Sequence, residues 1–459
     1  MREVAVLGAG QTKFGELWDR SFREIGIEAG LQALVDAKLE SAQLQGLFLG
    51  NMAAGRLIDQ EQIAPLILDY AGLGNRNLPA VRVEGGGASG ALALHAGYLA
   101  VASGQYDFVI VGGAEKLTDV PDITGNQITD SAADHEWEVV FGATLPGLWA
   151  LIARRHMHQY GTKREEFAAV PVQDHEMAAK NPNAHYRNKI TLEQVLGATP
   201  VAQPLGMLDC APLSDGAAAV VLGPMEVARK YTDTPIHISA SQVACDTMAL
   251  HHRRDITTLD STAVAARRAF QQARRTPENV QIAEIFDGYS IGALVALEDI
   301  GFVAKGASGA AFAAGEFGRG GRVVVNSSGG LKAQGRPFGA VGVAQVVELV
   351  RQLRGDAEGP AGRRSEPRTR ARCGWDGSYE RGPPAGEDQL GGYDVDRTIL
   401  ARNASPVQSR RIEVLDLQHR VLPSPLRMPH LHSPPPLDRQ DGAAPALRGR
   451  RGVLVLHRP

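Results

Sequence analysis

The chain has 459 residues, of which 44% are hydrophobic and 22% charged, and a formal charge of -3. That length suits two or three domains, the near-neutral balance gives no electrostatic footprint for nucleic acid, and no apolar run reaches the ~18 residues that span a bilayer. Three cysteines with no CxxC pair exclude a disulfide framework. The first element, Val4-Ala5-Val6-Leu7 followed by Gly8-Ala9-Gly10, reads as a buried strand and turn rather than a signal segment, so a cytoplasmic protein is expected.

Phe22 to Ala37 carries Ile25, Ala29, Leu31 and Leu34 at helical spacing. Leu47 to Gly50 is a short apolar strand. Ala88 to Ala102 is small and apolar throughout, as a fully buried helix is. Phe108 to Gly113 follows as a central strand, apolar on both faces. From about Lys116 to Leu208 the chain turns polar and helical, an insertion carried on a first half of residues 1–225. His156 and His158 lie two apart in it and share no helical face, so they read as surface or interface histidines, and no metal site is expected. Ser214 to Leu222 returns to the core.

Residues 226–355 repeat the alternation, with strands at 236–240, 282–286 and 322–326 and helices at 263–273, up to Leu297 and at 341–353. Two similar halves with buried helices predict a layered α/β fold with internal duplication. Residues 356–459 differ. From 360 onward the chain holds 13 of the 26 prolines and 17 arginines, and no lysine follows Lys332. Such composition predicts a largely disordered tail; the abrupt switch also fits out-of-frame translation of a GC-rich gene.

Several segments in order and spacing resemble the thiolase superfamily, closest to its archaeal and sterol-carrier-protein-like branch. They include Gly50-Asn51-Met52, Arg82 to Gly90, Gly112 to Lys116, Gly142 to Leu148, Leu208 to Gly216, Glu284 to Tyr289, Glu298 to Phe302 and Asn326 to Gly342. The resemblance implies a five-layered αβαβα thiolase fold in which each half supplies one sheet and a buried helix from each half lies between them. The second half is expected to be truncated, because the family's last two strands and their glycine-rich loop find no counterpart after Gly355. It also implies a coenzyme A thioester as substrate or ligand with no bound cofactor, acetyl-CoA acetyltransferase-like activity, and a homodimer or homotetramer.

Thiolase chemistry needs a cysteine thiolate, a histidine that takes its proton, a second cysteine and an oxyanion hole. Here the nucleophile position is Gly87 in Glu84-Gly85-Gly86-Gly87-Ala88-Ser89-Gly90. The His-Asp-Cys-Phe motif matches Phe286-Asp287-Gly288-Tyr289, and the Gly-His-Pro motif matches Gly335-Arg336-Pro337. The family positions are therefore vacated at Gly87, Phe286, Gly288 and Arg336. Asp287 and Tyr289 are left as candidate catalytic groups, and Ser89, Ser328, Gly329, Gly330 and Arg336 as candidate substrate-binding groups. Three functions are compatible with this pattern: an acyltransferase, a carbon–carbon lyase on a β-hydroxyacyl-CoA, as in relatives that work with a small zinc-ribbon/OB-fold partner, or a non-catalytic acyl-CoA-binding subunit.

Overall fold

The structure is a computed structural model and describes residues 1–356 and the strand at 448–457. The first half runs β1 (Val4–Gln11), α1 (Phe22–Asp36), β2 (Leu47–Gly50), α2 (Ile63–Tyr70), β3 (Ala80–Val83), α3 (Ser89–Ala102) and β4 (Val109–Glu115). After β4 the chain leaves the sheet and builds α4 (Leu145–Tyr160) and α5 (Arg164–Ala178), then returns as β5 (Gly216–Pro224). The second half runs β6 (Ile236–Thr247), α6 (Asp260–Ala273), β7 (Ile282–Ala283), α7 (Ser290–Ile300), β8 (Val324–Val325) and α8 (Phe338–Arg354). The last described strand is β9 (Arg448–His457).

Seven strands form one sheet in the order β9-β6-β1-β5-β4-β2-β3. Pairing is parallel among β4, β2 and β3 and antiparallel elsewhere in the sheet. β4 and β5 are buried along their whole lengths, which is why both read as unbroken apolar runs. On one face, Ile25, Ala29 and Ala33 of α1 and Ile63 and Ile67 of α2 pack on Leu7, Leu47 and Leu49. The start of α1 is fixed by Ser21: its hydroxyl accepts from Glu24 N at 3.3 Å while the Glu24 carboxylate accepts from Ser21 N at 2.7 Å.

On the other face lie α3 and α8, one helix from each half, with Ala93, Leu94 and Val101 beside Ala340, Val343 and Val347. Their axes meet at glycines. A Cβ on Gly90 would sit 2.5 Å from the Gly339 carbonyl oxygen, and one on Gly342 would sit 2.4 Å from Ala91 N. Backbone-to-backbone contact of this kind admits no side chain, and it brings the N-termini of both helices to one place. Beyond them β7 and β8 pair in parallel, and α7 packs with α4 and α5 through Ile291, Leu294, Trp149, Ile152 and Phe167.

The layers are therefore helix, sheet, helix, strands, helix, as the sequence implies, with two departures. The second half does not keep its strands to itself. β6 lies against β1 of the first sheet, pairing Ile236 to Ile238 with Val4 to Val6, and among the described residues the second sheet consists only of β7 and β8. Within the tail expected to be largely disordered, Arg448–His457 forms a strand that pairs with β6 from Thr247 to His237. The rest of that tail lies outside the described residues. The histidine reading also needs correction. His156 is fully buried, with Nδ1 2.8 Å from Thr162 Oγ1 and Nε2 3.2 Å from Glu298 Oε2, whereas His158 is exposed. Its partners come from a loop and from α7, so helical spacing within α4 alone carries no sign of them.

Candidate functional site

A cavity of about 900 Å³ opens where the starts of α3 and α8 meet the loop before α7. Gly85, Gly86, Gly87 and Ala88 line it from the first half. Phe286 and Tyr289 line it from the loop before α7, Arg336 and Phe338 from the start of α8, and Leu145 and Trp149 from α4. The structure brings Gly87, Phe286, Tyr289 and Arg336 together from segments about 50 to 250 residues apart.

Three sets of contacts hold these loops. Ser89 is buried; its hydroxyl accepts from Gly85 N at 3.0 Å and donates to Gly86 O at 2.7 Å, which shapes the turn carrying Gly87. Glu115, at the end of β4, is fully buried and accepts from Asn51 Nδ2, Met52 N, Ala53 N and Gly339 N at 2.7 to 3.2 Å. One carboxylate therefore ties the loop after β2 to the N-terminus of α8. Burial pushes its pKa up to about 7 against the lowering effect of those donors. Asp209, also buried, accepts from Ser290 Oγ at 2.7 Å and pairs with Arg164, fixing the start of α7 next to Tyr289.

The centre of the site is packed by one ring. A Cβ placed on Gly87 would lie 2.9 Å from Phe286 Cε2 and 3.2 Å from its Cζ, with Phe338 Cδ1 at 3.3 Å. A Cβ on Gly288 would lie 2.9 Å from Cε1 of the same ring. Phe286 thus stands between the two glycines and takes the space that side chains at either position need. No side chain caps the start of α3.

Tyr289 is buried and stacks on Trp149, with ring centroids 5.7 Å apart and planes at 26°. Burial raises its pKa, opposed by the nearby Arg336 guanidinium, so its hydroxyl keeps its proton at neutral pH. Arg336 is 5% exposed. Its backbone N–H donates to Ser214 Oγ at 3.1 Å, and its guanidinium carbon lies 4.9 Å from the Phe338 ring and 5.7 Å from the Tyr289 ring. Cys210, on the strand segment bridged to Tyr289, has its thiol pushed up to about 11, first by burial and then by Asp209. It is a neutral thiol and supplies no substitute thiolate.

The remaining predicted site residues lie behind the cavity wall. Asp287 is 1% exposed and accepts from Leu331 N at 2.7 Å; burial raises its pKa and that of its neighbour Asp174. Ser328 donates to Glu284 at 2.6 Å. Cβ atoms on Gly329 and Gly330 would sit 2.4 Å from Ala178 and 2.2 Å from Asp287. The loop 326–330 is thus packed on α5 and on buried acids, and of the predicted binding residues only Arg336 lines the cavity. Sequence reasoning missed Trp149, Phe338, Glu115 and Glu284. The last lines the cavity, and burial together with Glu348 pushes its pKa up to about 8. Among the described residues no cluster of side chains suits a metal ion, and no helix is long and apolar enough to cross a membrane.

Residues 4–226 match the family description "Thiolase, N-terminal domain" and residues 242–367 match "Thiolase C-terminal domain-like". The chain belongs to the thiolase family. It is 54% identical over 357 residues to an acetyl-CoA acetyltransferase of Methanothermobacter thermautotrophicus, covering 78% of this chain and 92% of the relative. A Methanocaldococcus jannaschii acetyl-CoA acetyltransferase is 46% identical, with 78% and 91% covered. Among solved structures, the Ltp2-ChsH2(DUF35) aldolase is similar with a TM-score of 0.68 and 30% identity, covering 78% of this chain and 91% of that one.

Proposed function

We propose that this protein binds acyl-CoA thioesters, as the acetyl-CoA acetyltransferases it resembles imply, but does not carry the acyl group on itself. The observation behind this is the Phe286 ring lying within 3.2 Å of where a side chain at residue 87 begins. Gly87 has no nucleophile, and the volume a nucleophile needs is occupied. The flanking chemistry is equally unsuited to thiolysis. Arg336 stays protonated and cannot act as a base, and Phe286 has nothing to donate to an oxyanion. A site emptied in this way retains a role in holding the thioester. The test is incubation with acetyl-CoA labelled in the acyl group. The label should travel with the folded chain and leave it entirely on denaturation; label retained by the denatured chain overturns the reading.

A second reading, carbon–carbon cleavage of a β-hydroxyacyl-CoA, draws on the likeness to the Ltp2-ChsH2(DUF35) aldolase and on Tyr289 in the cavity wall. Such cleavage needs no covalent intermediate, only a group that moves the hydroxyl proton and one that meets the enolate. Asp287 faces Asp174 and Leu331 instead of the cavity, and the protonated Tyr289 can meet the enolate but does not take the hydroxyl proton, so this reading has one of its two groups. Cleavage activity that survives Tyr289→Phe undiminished ends it. A small zinc-ribbon/OB-fold partner belongs to this second reading, and a homodimer or homotetramer and a cytoplasmic setting belong to both. Sedimentation of the purified chain tests the assembly.

A further inference from the structure

The fold satisfies its other buried cations. Lys116 pairs with Asp215 at 2.7 Å and with Asp119 at 2.6 Å, and Lys332 donates to the Cys210 carbonyl at 2.9 Å. Arg336 is treated differently. It is 5% exposed, yet among the described residues no carboxylate lies within 4.0 Å of it, and its Nε is buried without a hydrogen-bond partner. Asp130 feels its charge but uses its Oδ1 to accept from Leu145 N at 2.8 Å. The other contacts of the guanidinium are the Phe338 and Tyr289 rings and the Tyr289 hydroxyl, which lies within its reach.

A buried, unpaired charge at a cavity wall is costly unless something neutralises it. A thioester carbonyl is neutral and offers a single oxygen. A carboxylate offers the opposite charge and two oxygens in the plane that a guanidinium fork matches. The fork also sits at the reacting end of the cavity: Nη1 lies 3.6 Å from where a Cβ on Gly288 would be. Around it the walls are Phe286, Phe338, Tyr289, Trp149 and Leu145. They suit an acyl group and stand around Arg336; Arg56, Arg82 and Arg253 line other parts of the same cavity.

We propose that the cavity takes CoA thioesters whose acyl group carries a second, free carboxylate, and that Arg336, flanked by Tyr289, holds that carboxylate. This rests on the acyl-CoA reading above and narrows it to a substrate class. Arg336 is a binding residue here and moves no proton.

Calorimetry on the full chain tests it with succinyl-CoA and with butyryl-CoA, which puts a methyl group in place of the terminal carboxylate. Succinyl-CoA should bind roughly ten- to a hundredfold more tightly, the range of one charge-assisted hydrogen-bonded contact. In Arg336→Gln the ratio should fall to near one, and in Arg336→Lys, which keeps the charge and loses the fork, it should lie between. Butyryl-CoA binding as well as succinyl-CoA to the unmodified chain overturns this inference and leaves the acyl-CoA reading standing. A succinyl preference that persists in Arg336→Gln also overturns it. Binding of neither thioester overturns both. The comparison in the unmodified chain decides the matter even if a variant does not fold.

Discussion

Substituting Gly87 by alanine separates the steric part of the account from its chemistry. The added methyl meets Phe286 Cε2 at 2.9 Å, Phe286 Cζ at 3.2 Å and Phe338 Cδ1 at 3.3 Å, against ordinary carbon contacts of about 3.5–4.0 Å. Residue 87 is not among the positions with left-handed φ, so alanine meets no backbone strain there, and its lower unfolded-state entropy favours the folded chain by about 0.4–1 kcal/mol. Against that stands the overpacking, about 1–3 kcal/mol if the ring is trapped. If the ring swings into the cavity off its rotamer, the cost is about 0.5–1.5 kcal/mol. The net expectation is a loss of about 1 kcal/mol. With Phe286→Leu already present the two closest contacts are gone and Phe338 Cδ1 at 3.3 Å remains, so Gly87→Ala should become near neutral. A urea double-mutant cycle should therefore show a coupling of about 1–2 kcal/mol between positions 87 and 286. Gly288→Ala, whose methyl meets the same ring at 2.9 Å, should couple to Phe286 in the same sense. Effects that simply add, within about 0.5 kcal/mol, refute the claim that the ring fills both places.

Other parts of the structure make further commitments. Glu284, raised to about 8 by burial and by Glu348, binds a proton more tightly folded than unfolded. Its contribution to stability is present below its unfolded value, near 4.5, and is lost as pH rises through about 8. Glu284→Gln should therefore gain more in urea midpoint at pH about 8.5 than at pH about 5.5, and an equal gain at both counts against the shift. Asp215 is fully buried and accepts from Lys116 Nζ, Leu17 N, Leu117 N, Thr118 N and Thr118 Oγ1. Asp215→Asn leaves the buried Lys116 with the partly exposed Asp119, at 2.6 Å, as its carboxylate partner and should cost about 2–3 kcal/mol; a loss under about 1 kcal/mol contradicts the network's role. Deleting residues 445–459 removes the β9 ladder and leaves β6 paired with β1 over only three residues. The shortened chain should aggregate in light scattering as its concentration rises; a chain that stays monodisperse with an unchanged midpoint argues that the ladder adds nothing.

Much of the frame was legible because local pattern decides it. β1, β2 and β4 are short apolar runs, α3 is apolar on every face, and α8 carries a helical stripe, so each follows from its own residues. The four positions read as vacated each sit in a motif of fixed spacing, but the sequence could not tell that Gly87 and Gly288 share one neighbour. That depends on where Phe286 points, which the meeting of α3, α8 and the loop before α7 decides. The same limit hid His156, whose buried partner Glu298 lies 142 residues away, and Glu115, whose four donors come from two segments, 51–53 and Gly339. Strand β6 was read only as far as residue 240, because its later half is less buried and carries Gln242, Cys245 and Asp246. Its ladder with β9, not its own hydrophobicity, keeps it extended to Thr247. Ser328, Gly329 and Gly330 were named as substrate-binding groups within a segment that resembles the family; Cβ atoms at the two glycines would meet Ala178 and Asp287, contacts set by distant parts of the chain.

The most direct test of the central claim is thiolysis itself. The full chain, mixed with acetoacetyl-CoA and free coenzyme A, should cleave nothing above the protein-free rate while still binding the thioester in calorimetry. Turnover like that of a thiolase with its cysteine in place would contradict the account, because neither Gly87 nor the Phe286 ring beside it can accept an acyl group.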